Sequence, residues 1–146
     1  PNLTSVCSSD DTGLAEASIE SAAFDPPFLT YVRVVRGDAP MVMARRFCGY
    51  WHLDELKEHY RSTLREAARI LKHKGLLVFK CQDIVHNHRL FSTHTEILQW
   101  AAPWFRLHDL FIQAATHRMP GPNRAGTQKH ARVFHCYWLV LQRWAK

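Results

Sequence analysis

The chain has 146 residues, of which 47% are hydrophobic, 12% aromatic and 22% charged. That length supplies one domain with a true core and argues against a second, and the composition excludes a disordered chain, which is poor in hydrophobic residues and rich in charge. Lys and Arg number 19 against 13 Asp and Glu, a net charge of +6 with the ten histidines neutral, and such an excess favours polyanions without specifying a fold.

Residues 1–18 form a polar segment that begins on Pro1 rather than Met, as a cut or processed chain would. From Ile19 to Phe24 the sequence turns small and apolar and then meets Pro26 and Pro27, which cannot donate to a sheet ladder, so a short buried strand is predicted to close at Asp25. Residues 29–50 read as a long basic loop carrying Arg33, Arg36, Arg45 and Arg46. Next, Leu53, Leu56, Tyr60, Leu64, Ala67 and Leu71 recur at steps of three and four, the spacing of an amphipathic helix of about five turns. Lys72, His73 and Lys74 suit its C-terminus, with Gly75 as a left-handed cap.

Leu76-Leu77-Val78-Phe79 then reads as a central strand covered on both faces, and strand, helix, strand in that order is a βαβ unit of a parallel sheet. Thr93 and Glu96 have capping-box spacing and open a helix stopped by Pro103. Strands are expected near Leu107–Ala115 and Val133–Leu141. Between them His117–Arg132 is an exposed loop with Arg118, Arg124, Lys129 and Arg132, suited to phosphate contacts or to plain solvation.

Cys7, Cys48, Cys81 and Cys136 form no CxxC pair, which points away from a zinc site or disulfide framework. No apolar run approaches the ~18 residues of a membrane span and no secretory leader opens the sequence. No membrane association and an intracellular location, cytoplasm or nucleus alike, are the expectations. His86-Asn87-His88 spells HNH, yet nucleases of that name spread the three residues over a ββα unit. His86, His88 and His94 lack the spacing of a metal site, so no metal is expected.

The segment that carries chemistry is Asp25-Pro26-Pro27-Phe28. Open α/β sheets bind ligands at the carboxyl ends of their strands, and here a carboxylate, a rigid proline pair and an aromatic ring arrive there together. An exocyclic amino group needs acceptors for its protons: Asp25 and the Pro26 carbonyl can supply them while Phe28 stacks on an unstacked base. The plain alternative is a strand-ending turn. Lys80, Gln82 and Asp83 follow the Leu76–Phe79 strand and are expected at the same edge, lining a pocket or returning to solvent. Cys81 has no paired base to make it a nucleophile.

Asp-Pro-Pro-Phe resembles the D/N/S-P-P-Y/F/W signature of amino-methyltransferases that use S-adenosylmethionine. The passages LDELKEHYRSTLREAARILKHKGLLVFKCQD and ARVFHCYWLVLQR resemble that family's helix-and-strand passage and closing strand, so the likeness runs over residues 19–142. It implies an α/β, Rossmann-like methyltransferase domain with a mostly parallel sheet and an antiparallel closing strand, incomplete at its N-terminus. It also implies methyl transfer to a nucleic-acid base, adenine N6 before cytosine N4, with Asp25, Pro26, Pro27 and Phe28 as the catalytic motif. The resemblance assigns no cofactor-binding residues in this chain, and Lys80, Gln82 and Asp83, at the same edge, are the candidates for them.

The family's glycine-rich cofactor turn has no counterpart here, since the six glycines include no GxG. It lies upstream, is lost, or is replaced, and a protein partner or second copy is expected to complete the pocket. Two rival expectations stand beside this one: an inactive lobe that binds nucleic acid or scaffolds a partner, and a methyltransferase acting on protein side chains.

Overall fold

The computed structural model describes residues 7–28, 52–86, 89–116 and 133–145. Strand β1 spans Ile19–Phe24, helix α1 Leu53–Ile70, β2 Leu71–Cys81, β3 Ile84–His86, β4 Arg89–Phe91, helix α2 Thr93–Ala101, β5 Phe105–Ala114 and β6 His135–Arg143. None of the described helices is long and apolar enough to cross a membrane. Both basic loops, with Arg33, Arg36, Arg45, Arg46, Arg118, Arg124, Lys129 and Arg132, lie outside the described residues, as do Asn87 and His88.

Helix α1 is where the apolar period places it. Its buried stripe includes Leu53, Leu56, Tyr60, Leu64, Ala67 and Ala68. Asp54 and Glu55 sit in the first turn and Arg69 in the last, each favourable to the helix dipole, and the His52 amide donates to Glu55 Oε2 at 3.2 Å. The end differs from expectation. Helix α1 stops at Ile70 and β2 begins at once, because residues before β1 take up its last carbonyls: the Ala17 amide donates to Arg69 O at 2.9 Å and the Ser18 amide to Ile70 O at 2.8 Å. With those acceptors satisfied, no glycine cap is needed.

The four-stranded sheet has the order β1-β2-β6-β5, with β1 parallel to β2, and β6 antiparallel to both β2 and β5. The sheet is mixed, and the expectation of a mostly parallel one is corrected. The reversed strand β6 is inserted between β2 and β5 instead of closing an edge, so it converts two of the three pairings to antiparallel. A second, two-stranded sheet pairs β3 with β4, a hairpin that the apolar pattern did not announce.

Alternation gives the large sheet two unlike faces. Leu77, Phe79 and Cys81 of β2, with Leu139 and Leu141 of β6, join Leu56, Tyr60, Leu64 and Ile97 in one buried cluster under the helices. Val78, Lys80, Trp138 and Val140 point to the opposite face and are half-buried. Edge strand β5 leaves Leu107, Leu110, Phe111 and Ile112 exposed.

Candidate active site

Aromatic packing fixes the end of β1. The Phe24 ring meets Phe79 edge-on with centroids 5.0 Å apart, and Tyr60 meets Phe79 in the same manner at 5.3 Å. Phe24 lies opposite Phe79 in the parallel register, so Asp25 leaves β1 beside Lys80. Pro26 is buried, and the Tyr60 hydroxyl donates to the Pro27 carbonyl at 3.2 Å. A core tyrosine thus ties the proline pair to α1. The Pro26 carbonyl accepts no hydrogen bond among the described residues.

Asp25, whose side chain is 58% exposed, forms an ion pair with Lys80 Nζ at 2.8 Å. The same ammonium lies 5.5 Å from the Phe28 ring centroid and 5.0 Å from that of Trp138, within range of cation–π attraction. Trp138 is held in turn by its indole N–H, which donates to Gln113 Oε1 at 3.0 Å. The structure therefore brings together Asp25, Phe28 and Lys80 of the expected set, and adds Trp138 to them.

Gln82 and Asp83 are engaged elsewhere at this edge. Gln82 donates to the His135 carbonyl at 3.1 Å. Asp83 holds His94 Nδ1 at 2.8 Å and accepts from the Tyr137 hydroxyl at 3.4 Å, while the His94 and Tyr137 rings stack at 4.0 Å. Burial, helped by the Asp83 carboxylate, pushes the Tyr137 phenol above its ordinary range. Cys81 is fully buried and its thiol is pushed up to about 12, chiefly by desolvation with Asp83 and Cys136 adding to it. Such a thiol is no nucleophile near neutral pH.

Trp138, Tyr60, His94 and Tyr137 were missed as site residues. Tyr60 reads as core in the helical stripe, while Trp138 and Tyr137 sit in an apolar run whose alternation becomes informative only once β6 is paired. His94 became legible only through its partner, eleven residues back in the chain.

A methyl-donor cofactor needs a cradle in which backbone approaches it closely. The described glycines lie elsewhere: Gly75 packs on the Glu20 carbonyl at the opposite end of β1, and Gly13 has open space around it. Among the described residues, then, no glycine lies at the Asp25 edge to form such a cradle.

No family model and no curated protein sequence matches this chain. Solved structures do. TTHA0409 of Thermus thermophilus, assigned as a DNA modification methylase, matches in its complex with S-adenosyl-L-methionine at a TM-score of 0.62 and 18% identity, over 97% of this chain and 55% of that one. PvuII DNA methyltransferase, which is cytosine-N4-specific, matches at a TM-score of 0.52 and 13% identity, over 91% of this chain and 46% of that one. The chain spans about half the length of these structures, and over that half it shares their fold.

Proposed function

We propose that this chain carries the acceptor-orienting half of a nucleic-acid amino-methyltransferase and acts on an exocyclic amino group of a base, adenine N6 before cytosine N4. The supporting observation is the cluster of Asp25, Phe28 and Lys80 at the carboxyl ends of two parallel strands, in a fold shared with DNA methyltransferases. S-adenosylmethionine, the implied donor, would supply an electrophilic methyl group when bound, and a partner or second copy would complete its pocket.

The chain's own residues hold the amine. Lys80 engages Asp25 through Oδ2, which aims the carboxylate and leaves Oδ1 to accept one amino proton. The Pro26 carbonyl accepts the other, and Phe28 stacks against the base. Both acceptors favour the amine with its lone pair directed away from them, towards an incoming electrophile, and this placement is a large part of what catalysis requires. Gln82 and Asp83 brace the edge through β6 and α2.

The test is transfer of radiolabelled methyl to oligonucleotides containing adenine or cytosine as the only amino base. Asp25→Ala should lower turnover by about 10²-fold or more, as expected for a lost preorganised acceptor, with little change in melting temperature because the Asp25 carboxylate is itself exposed and its pair with half-buried Lys80 is well solvated on that side. Retained turnover removes Asp25 from the mechanism. Transfer to cytosine alone replaces the adenine assignment.

A further inference from the structure

On the solvent side of the two helices, four large side chains line one concavity. Arg61 and Arg65 of α1 meet Trp100 of α2 and Trp104 just beyond it around a hollow of about 180 Å³. The Arg61 guanidinium lies over Trp100, 4.4 Å from its ring centroid. Both arginines share the single carboxylate of Glu58, at 3.6 Å and 2.8 Å, so one positive charge is left over. Lys57, Arg61, Arg65 and Arg69 recur every four residues along α1, but Lys57 is paired with Glu96 at 2.9 Å and Arg69 with buried Glu66 at 2.7 Å, so Arg61 and Arg65 are the cations that face the hollow.

We propose that this groove binds a single strand of nucleic acid, with a base stacked against the Arg61–Trp100 pair or on Trp104 and the adjoining backbone phosphates on Arg65 and Arg61. This rests on the nucleic-acid reading of the Asp25 edge and adds a second contact surface to it. The chemistry is specific to such a ligand. Indole and guanidinium planes offer stacking surfaces to unpaired bases, and the forked guanidinium suits a phosphate. The pairs with Glu58 are solvent-exposed and individually weak, so a phosphate can displace the carboxylate. A duplex presents its bases edge-on and gives the rings nothing to stack on.

The groove is remote from the transfer site by topology. Trp104 precedes Phe105, which pairs with Arg143 at the edge opposite to Asp25, whereas the Asp25 edge pairs Cys81 with Tyr137. A strand held here extends across the helices, and a nucleotide at Asp25 belongs to another part of the same polymer.

The experiment titrates the full chain with a fluorescein-labelled 16-mer of deoxyadenosine, single-stranded or annealed to its complement, at several salt concentrations. Arg61→Gln with Arg65→Gln changes two exposed side chains and should spare the fold. The expected result is roughly a tenfold weaker complex with the single strand, and a log–log salt slope reduced by about 0.7 for each phosphate no longer neutralised. Asp25→Ala should lose methyl transfer while keeping the single-strand preference and the salt slope that the groove confers, since a carboxylate neutralises no phosphate. Equal affinity and slope in the arginine variant overturn the groove, and so do a duplex held as tightly as the strand or no binding at all. If Asp25→Ala keeps full transfer while the arginine variant loses binding, the groove stands and the reading of Asp25 falls.

Discussion

Tyr60 has two duties: its ring fills the core against Phe79, and its hydroxyl fixes the Pro27 carbonyl. Tyr60→Phe keeps the first and removes the second. Loss of the bond should cost about 1 kcal/mol, visible in urea unfolding, and should lower methyl transfer more than stability because the proline pair loses its tether. Unchanged transfer at full cofactor would show that the prolines hold themselves. Cys81 is legible in a different assay. Its buried, strongly basic thiol should stay unlabelled by iodoacetamide in the native protein at mildly alkaline pH, while exposed Cys7 reacts; denaturation should make both react. Native labelling of Cys81 would mean that β2 opens readily at its carboxyl end.

Among the elements, those with a strong period were readable in advance. The α1 stripe and the alternation of β2 and β6 are visible in the sequence, since each buries a regular face; β1 and β5 are apolar in sequence but lie at the sheet edges, where β1 has no fully buried residue, against the expectation of a buried strand, and β5 buries only Phe105. The β3–β4 hairpin was not, because strands of three residues are too short to show alternation. The β2 start was misplaced for a tertiary reason, the capping of α1 by Ala17 and Ser18. Of the site, Asp25 and Phe28 were legible as a motif, but the ion pair with Lys80 needed the parallel register. Gly75 also changed its meaning. The left-handed residue is Lys74, with φ of 66°, whereas Gly75 is where strands crowd: an added Cβ would lie 2.8 Å from the Lys72 carbonyl and 3.0 Å from that of Glu20. Gly75→Ala should therefore destabilise the chain by about 1–3 kcal/mol, since the methyl group presses on the Lys72 carbonyl of β2 and the Glu20 carbonyl of β1. A variant with the wild-type urea midpoint would show that the irregular stretch at Ser21 absorbs the methyl group.

At the scale of the molecule, the N-terminal segment is bound to α1 by polar contacts. Glu66 accepts from the Thr12 amide at 3.0 Å and from Arg69 Nε at 2.8 Å, and Ser9 meets His59 at 3.0 Å. Arg69 foremost, then Thr12, draws the Glu66 carboxyl from 4.5 down to about 2 against the cost of burial. A depressed folded value means stability that is complete above the unfolded value and is lost as pH falls. Glu66 should thus contribute fully above about pH 5 and lose on the order of 1–2 kcal/mol between about pH 4.5 and 2. His59, lowered by burial, acts in the same sense, beginning below its ordinary 6.5. Thermal melts of wild type and Glu66→Gln should differ at about pH 6 and converge near about pH 2; a constant gap would take Glu66 out of the acid response.

The interior position of β6 also bears on how the polypeptide assembles. Its partners β2 and β5 both precede it in the chain, and among the described strands β5 pairs with β6 alone. While the protein is being made, residues 105–114 wait with their backbone donors unmatched until residues 135–143 arrive, and Leu110, Phe111 and Ile112 wait with them. A long-range closure of this kind is slow compared with local helix formation. The interval leaves an apolar strand open to pairing with other chains, so yield on synthesis depends on β6 finding its slot before a neighbouring molecule does.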